Sequence, residues 1–137
     1  MSVPAFLIPV FIQVALTFFL GIWLGKERGV AIKTGLVEYD PIYPVRWPEK
    51  TQKVSNSFHN QFEIPPLFYV VMILIIMTSK IDYAFAVLSW IFVISRIVHA
   101  GVHTTNNEVK YRGPAYLIGV LALLLMWIHL AIVLLLA

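Results

Sequence analysis

The 137-residue sequence contains no cysteine, which excludes disulfide bonds and any protein thiol from its stability and its chemistry. Charged residues are also scarce, at 12% of the chain against roughly 25% in soluble domains, whereas hydrophobic residues make up 60%. A soluble domain of this length cannot bury so much apolar surface, so the surplus must face lipid. The net charge of +3 is spread along the sequence without a basic block, which argues against nucleic-acid binding.

Four hydrophobic segments account for most of the chain. They comprise residues 3–25, 54–79, 83–103 and 113–136. Each is close to or above the ~20 residues that cross a hydrocarbon core as a helix. Backbone polar groups in lipid must be satisfied within their own element, and no alternating strand pattern is present, so all four are predicted to be helices. The expected fold is a single all-α domain, residues 1–137, that forms an integral membrane four-helix bundle.

Basic residues set the expected orientation of these helices. The first segment lacks the basic start and the small-residue cleavage site of a signal peptide, so we expect it to be a retained helix. Lys and Arg concentrate in loops 26–53 and 104–112, and the hinge at 80–82 holds only Lys80. The positive-inside rule therefore predicts that both loops are cytoplasmic and both termini external. A bacterial inner membrane is the expected location.

Polar side chains share one face on each of the last three segments. These faces comprise Asn56, His59, Asn60 and Glu63 on the second segment, Arg96, His99 and His103 on the third, and Arg112 and Tyr116 on the fourth. Spacings of three, four and seven residues align side chains along a helix. The predicted topology puts all three faces in the cytoplasmic half of the bilayer, so we expect them to surround a polar cavity open to the cytoplasm.

A pairing of Glu63 with Arg96 is expected within this cavity. Given the rise per residue of an α-helix, Glu63 lies roughly 10 Å deeper than Asn56, and Arg96 lies roughly 10 Å deeper than His103. A charged residue at mid-helix costs ~2.5–3.5 kcal/mol on insertion scales, and pairing would lessen that cost. His129 stands alone in the other half of the fourth segment, where a packing or hydrogen-bonding role is expected.

Other interpretations of these polar residues remain open. The Glu63–Arg96 pair would also suit a purely structural lock between two helices. His59, Glu63, His99 and His103 are metal-ligand types, but Arg96 beside them would repel a cation, so no metal is expected. A proton-coupled transporter would use a membrane glutamate, yet the strong orientation bias and the absence of an inverted repeat disfavour it.

Three motifs resemble the MAPEG family, the membrane-associated proteins of eicosanoid and glutathione metabolism. They are Asn60-Gln-Phe-Glu63 followed by Pro65, Arg96-x-x-His99, and Arg112 with Tyr116 four residues later. The resemblance extends over essentially the whole chain, since it includes four helices, a long first loop and a short second connection. The resemblance is that expected of a divergent, bacterial member of the family.

The resemblance implies a homotrimer that binds glutathione between subunits on the cytoplasmic side. Arg112 matches the arginine that stabilises the glutathione thiolate, because a nearby cation lowers a thiol pKa. The residues expected to bind glutathione or substrate are Lys53, Asn56, His59, Asn60, Glu63, Arg96, His99, His103 and Tyr116. The chain departs from the family at His103, where several members carry tyrosine, and at Asn56 and His59, where eicosanoid-type members carry arginines.

The expected function is a glutathione-dependent transferase or peroxidase that acts on lipophilic electrophiles within the membrane. Glutathione would be a co-substrate, and lipid and a lipophilic small molecule would be the other partners. The alternative is a non-catalytic membrane protein that binds lipid or a small anionic ligand, in which the polar cluster is mainly structural.

Overall fold

The computed structural model describes residues 1–37 and 40–136, which form five α-helices and no strand. The helices are α1 (Val3–Lys33), α2 (Glu49–His59), α3 (Pro65–Met77), α4 (Tyr83–Thr104) and α5 (Val109–Leu135). α2 and α3 together form one of four helical segments that are long and apolar enough to cross a membrane. The predicted all-α membrane-spanning fold is therefore confirmed.

The second span is broken, whereas the sequence predicted one continuous helix over residues 54–79. α2 ends at His59, a 3₁₀ turn covers Asn60–Phe62, and α3 begins at Pro65. Two consecutive prolines, Pro65 and Pro66, lack backbone donors, and their rings clash with the carbonyls of a preceding α-helical turn. The helix therefore has to be interrupted just before them, which leaves backbone groups near Asn60 in need of other partners.

Two other helices extend beyond the hydrophobic segments. α1 continues to Lys33 rather than ending at residue 25, and α5 begins at Val109 rather than at residue 113. Along the α1 extension, the Trp23 indole donates to Glu27 Oε1 over 3.1 Å, and Lys50 Nζ from α2 lies 3.0 Å from the same oxygen. Hydropathy located only the end of the apolar segment, whereas these polar contacts stabilise the helix beyond that end.

Aromatic and aliphatic side chains pack between the helices at the centre of the bundle. Phe68 of α3 stacks on Phe92 of α4 with ring centroids 4.4 Å apart, and Met126 of α5 is buried in the same cluster. Many large apolar residues on the outer faces are exposed instead, as lipid-facing surfaces require. A buried amide pair also ties α1 to the break, since Gln13 Nε2 donates to Gln61 Oε1 over 2.8 Å.

α4 and α5 form the most extensive helix pair, and Gly119 of α5 packs directly against α4. A Cβ at this position would lie 2.4 Å from Ser95 Oγ, which is fixed by a 2.6 Å hydrogen bond to the Phe92 carbonyl. The same Cβ would lie 3.8 Å from Cδ of Arg96. The missing side chain of Gly119 thus lets α5 pack against Ser95 and the stem of Arg96 on α4.

Toward the other end of α5, His129 has the hydrogen-bonding role expected for it, with a partner that the sequence did not identify. Its Nε2 lies 2.7 Å from Asp82 Oδ2, and the other oxygen of Asp82 accepts the backbone amide of Phe85 over 2.9 Å. Asp82 therefore caps the start of α4 and holds α5 with the same carboxylate. Burial acts to raise the pKa of Asp82, but the hydrogen bonds from Phe85 and His129 outweigh it, so this pKa lies below its ordinary value.

Gly119→Ala is expected to lower the free energy of unfolding by about 1–3 kcal/mol, because the new methyl group displaces Ser95 Oγ from its hydrogen bond. Thermal unfolding in detergent micelles, followed by far-ultraviolet circular dichroism, measures the loss. The double variant Ser95→Ala/Gly119→Ala should recover stability, since the next contact, to Ser95 Cβ at 3.6 Å, is ordinary van der Waals packing. Gly101→Ala, which meets open space, is the control. A double variant no more stable than Gly119→Ala would contradict the explanation.

Asp82→Ala is expected to cost about 1 kcal/mol of stability at neutral pH, the typical value of a helix cap. Because the folded-state pKa of Asp82 is depressed, its contribution is complete above the unfolded value of about 3.9. It is lost as the pH falls through the lower folded value. The difference in unfolding temperature between wild type and variant should therefore shrink below about pH 3.9. A difference that stays constant with pH would show that the carboxylate charge is not responsible.

Candidate functional site

A polar cavity of about 550 Å³ opens at the end of the bundle that carries the α1–α2 and α4–α5 connections. This volume is within the roughly 300–1,000 Å³ typical of small-molecule sites. Its lining comes from the end of α2 and the break, from α4 and from the start of α5: Asn56, His59, Asn60, Glu63, His99, His103, Val109, Arg112, Gly113 and Tyr116. The structure thus brings eight of the sequence-predicted residues around one recess.

Arg96 lies behind the cavity wall rather than in its lining. Its side chain is 1% exposed, and its Nη2 donates to the backbone carbonyl of Asn60 over 3.2 Å. The guanidinium also stands over the Tyr116 ring, 5.6 Å from the centroid, as in a cation–π contact. Arg96 therefore supports the break between α2 and α3 from below and packs against α5.

The expected ion pair between Glu63 and Arg96 does not form. No oxygen of Glu63 lies within 4.0 Å of the guanidinium among the residues that the structure describes. The break rotates the chain after Asn60, so Glu63 faces the cavity and is exposed, while Arg96 is directed at the Asn60 carbonyl. The pairing was expected from position along the two helices alone, whereas the partner of Arg96 is set by the break.

His99 links the cavity wall to α5. Its Nδ1 lies 3.1 Å from the backbone carbonyl of Arg112, and its ring lies 5.4 Å from the Tyr116 ring. Because a carbonyl oxygen only accepts hydrogen bonds, this contact places a proton on Nδ1. His103 follows one turn later, with its ring 5.5 Å from that of His99. The two histidines therefore form a continuous wall along α4.

Arg112 occupies the opposite wall at the start of α5. Its Nη1 donates to Oδ1 of Asn107, a residue with a positive φ of 55° in the turn between α4 and α5. Asparagine tolerates this left-handed conformation better than most residues. Asn107 was not predicted from the sequence, since a lone asparagine in a polar loop carries no periodic signal. It orients the guanidinium and leaves other donors for a ligand.

Lys53, a predicted binding residue, is near the cavity but does not line it. Its Nζ lies 2.8 Å from Glu49 and 3.4 Å from the Thr105 carbonyl at the end of α4. These contacts join α2 to the α4–α5 turn and fix the rim. Val109 and Gly113 line the cavity although the sequence pointed to neither. Their position becomes apparent only once α5 is seen to begin at Val109.

The charges of the cavity suit a ligand with groups of both signs. Arg112 offers guanidinium donors, and Glu63 offers a carboxylate that is exposed to the recess. Arginine is well matched to carboxylates and other anions. Among residues 1–37 and 40–136, no group of three or more His, Cys, Asp or Glu side chains has the arrangement of a metal site. The recess therefore presents a guanidinium and a carboxylate beside neutral hydrogen-bonding groups.

The MAPEG family model matches residues 6–132 of the chain. The matched range includes the second and third membrane-spanning segments, nearly all of the first and fourth, and every residue that lines the cavity. No curated protein and no solved structure matches the chain.

Arg96→Leu is expected to reduce stability by about 1–3 kcal/mol, because the Asn60 carbonyl loses a charged donor at a point where the helix is already broken. Chemical or thermal unfolding in micelles checks the value. Lys53→Met is the comparison, since this residue lies at the rim and its loss should change stability by less than about 0.5 kcal/mol. Equal losses of stability in the two variants would show that the hydrogen bond from Arg96 to the Asn60 carbonyl contributes no more than a contact at the rim.

Proposed function

The chain belongs to the MAPEG family, and on this premise we propose that it is a glutathione-dependent transferase or peroxidase acting on lipophilic electrophiles. The single observation that carries the proposal is the recess of about 550 Å³ with Arg112 on one wall and Glu63 on another. Glutathione has an ammonium group, two carboxylates and a thiol, so it needs partners of both signs. The chain itself contains no cysteine, and a bound thiol would supply the nucleophile.

Arg112 is the residue proposed to stabilise the thiolate. A guanidinium beside a sulfur favours the charged form and so lowers the thiol pKa, which raises the fraction of reactive nucleophile. Glu63 and Asn60 would receive the ammonium and amide groups of glutathione. The remaining cavity residues would complete the binding set, with Lys53 at the rim and Arg96 supporting the wall from behind.

A trimer of this chain is part of the proposal. Asn56, His59 and Glu63 are exposed on one flank of the second span, so the cavity is open toward the side of the subunit. A polar flank within a membrane protein is costly against lipid and is favourable against a neighbouring protein. A second copy packed there would cover these side chains and enclose a ligand between subunits.

The proposed orientation places the cavity on the cytoplasmic side, where glutathione is available. The two connections at this end and the helix ends beside them carry eight of the ten Lys and Arg residues, counted as Lys26, Arg28, Lys33, Arg46, Lys50, Lys53, Lys110 and Arg112. Basic loops of this kind are retained in the cytoplasm. Lipophilic electrophiles would reach the thiolate from the bilayer.

Titration of glutathione into the protein in detergent, by calorimetry and by the near-ultraviolet absorbance of the thiolate, tests the proposal. Binding with thiolate formation is expected, together with conjugation of a lipophilic electrophile. Arg112→Ala should reduce kcat/KM by about 100-fold or more, as does loss of other groups that stabilise a developing negative charge.

Lys110→Ala is the matched control, because this cation lies two residues earlier on an exposed position and is absent from the cavity lining. Its kcat/KM should stay near that of the wild type. Absence of both binding heat and thiolate absorbance in the wild type would refute the proposal. Binding without turnover would favour the non-catalytic alternative.

A further inference from the structure

The side-chain amide of Asn60 lies at the centre of the cavity wall, between one carboxylate and two imidazoles. One end of the amide is 3.0 and 3.2 Å from the two carboxylate oxygens of Glu63. The same side chain is 3.2 Å from Nδ1 of His103 and 3.3 Å from Nε2 of His99. An amide has a donating end and an accepting end, so its orientation decides which neighbours receive protons.

The carboxylate determines this orientation. If the amide oxygen faced Glu63, acceptors would oppose each other at two short distances, and the nitrogen would donate only to neutral imidazoles. With the nitrogen toward Glu63, it donates to both carboxylate oxygens, and the amide oxygen accepts from His103 Nδ1. Hydrogen bonds to an ionised acceptor are roughly twice as strong as neutral ones. In this orientation the amide oxygen also faces the lone pair of His99 Nε2 at 3.3 Å, the longest of these contacts, and the two hydrogen bonds to the Glu63 carboxylate outweigh that opposition.

A fixed tautomer of His103 follows from this arrangement. Since the Asn60 oxygen accepts from Nδ1, the proton of the neutral ring lies on Nδ1, and Nε2 carries the lone pair. His103 lines the cavity, and its Nε2 has no hydrogen-bond partner in the part of the chain that the structure describes. An imidazole with its second nitrogen held by an acceptor and its lone pair free has the geometry of a general base.

We propose that His103 is the general base of the reaction, and that Glu63 and Asn60 are positioning residues that hold its Nδ1–H tautomer through a carboxylate–amide–imidazole relay. The inference rests on the proposed glutathione-dependent function and adds the destination of the thiol proton. It assigns a role to the position at which this chain carries histidine instead of the tyrosine of several family members.

The proton balance is complete without any further reagent. His103 Nε2 takes the proton as the S–H bond of glutathione breaks, and the electron pair stays on sulfur beside Arg112. The thiolate then attacks the β-carbon of an α,β-unsaturated carbonyl compound, forming the S–C bond. The electron pair of the double bond moves to the enolate, and the α-carbon recovers the proton from the His103 imidazolium. One thiol and one activated alkene give one thioether, and the base is regenerated.

The pH dependence of this step involves groups from every element around His103. The charged and titratable neighbours are Lys53, His59 and Glu63 from the second span, Arg96 and His99 from α4, and Arg112 and Tyr116 from α5. Below the pH at which the His103 ring becomes protonated, the base is lost. The rate should therefore rise with pH along a limb that belongs to His103.

Nuclear magnetic resonance of ¹⁵N-histidine-labelled protein in micelles tests the relay without any ligand. At a pH where the ring is neutral, His103 is expected as the Nδ1–H tautomer. Asn60→Ala and Glu63→Leu should each shift it toward the Nε2–H tautomer that a free imidazole prefers. A wild-type Nε2–H tautomer, or a tautomer indifferent to both substitutions, would overturn the relay.

Kinetics with glutathione and an α,β-unsaturated ketone test the base. His103→Asn retains a donor near the Nδ1 position but lacks the accepting Nε2, so kcat should fall by about 100-fold or more. KM for glutathione should change little, the acid limb of the pH–rate profile should disappear, and added imidazole should restore part of the rate. His129→Gln, at the far end of α5, should keep the wild-type kcat.

Retention of kcat within about twofold in His103→Asn, or a loss without imidazole rescue, would refute the base. This result is distinct from failure of the proposed function, in which the wild type binds no glutathione by calorimetry. In that case no bound thiol is present to give up a proton, so the assignment of His103 as a base fails together with the proposed function. The tautomer measurement, which needs no ligand, still tests the hydrogen-bond relay.

Discussion

The hydrogen bond from Arg96 to the Asn60 carbonyl is the contact on which the cavity depends. A membrane-spanning helix normally satisfies its own backbone, and the prolines at residues 65 and 66 prevent this at the end of α2. Within its own turn the Asn60 carbonyl accepts only a long hydrogen bond of 3.4 Å from the Glu63 amide, and a buried guanidinium supplies a second, charged donor over 3.2 Å. The same guanidinium packs on Tyr116, so one side chain joins the break in the second span to α4 and α5.

The break also explains why polar side chains gather at one end of an otherwise apolar bundle. In a continuous helix, the side chains of Asn60 and Glu63 would lie in one row with residues such as Asn56 on the preceding turn. The 3₁₀ turn changes the direction of the chain within a few residues and presents the amide of Asn60 and the carboxylate of Glu63 to the same recess. The close approach of α4 and α5 at Gly119 holds the opposing wall, and Gln13 secures the break from the side of α1.

Much of this architecture could be predicted from the sequence because membrane insertion leaves few alternatives. Runs of apolar residues gave the four spans, and helical spacing together with alternating direction predicted that three polar faces would meet. The family followed from the Asn60–Glu63, Arg96–His99 and Arg112–Tyr116 motifs. The break was missed because hydropathy continues smoothly through Pro65, and the position of Arg96 behind the cavity wall was missed because its partner is the Asn60 carbonyl at that break. Asp82 and His129 were not paired because residues far apart in sequence share no periodic signal.

The length of α1 has a consequence for the way the protein sits in its bilayer. A helix of 31 residues is about 46 Å long, whereas the hydrocarbon core measures about 30 Å. The surplus lies among headgroups and water, where Trp23, Glu27 and Lys50 form polar contacts that need no fixed depth. Because Gln13–Gln61 and Lys50–Glu27 tie α1 to the second span, a change in membrane thickness alters how much of this extension is immersed and does not move α1 against the bundle. The α1 extension is thus the part of the fold whose surroundings vary most with the thickness of the bilayer.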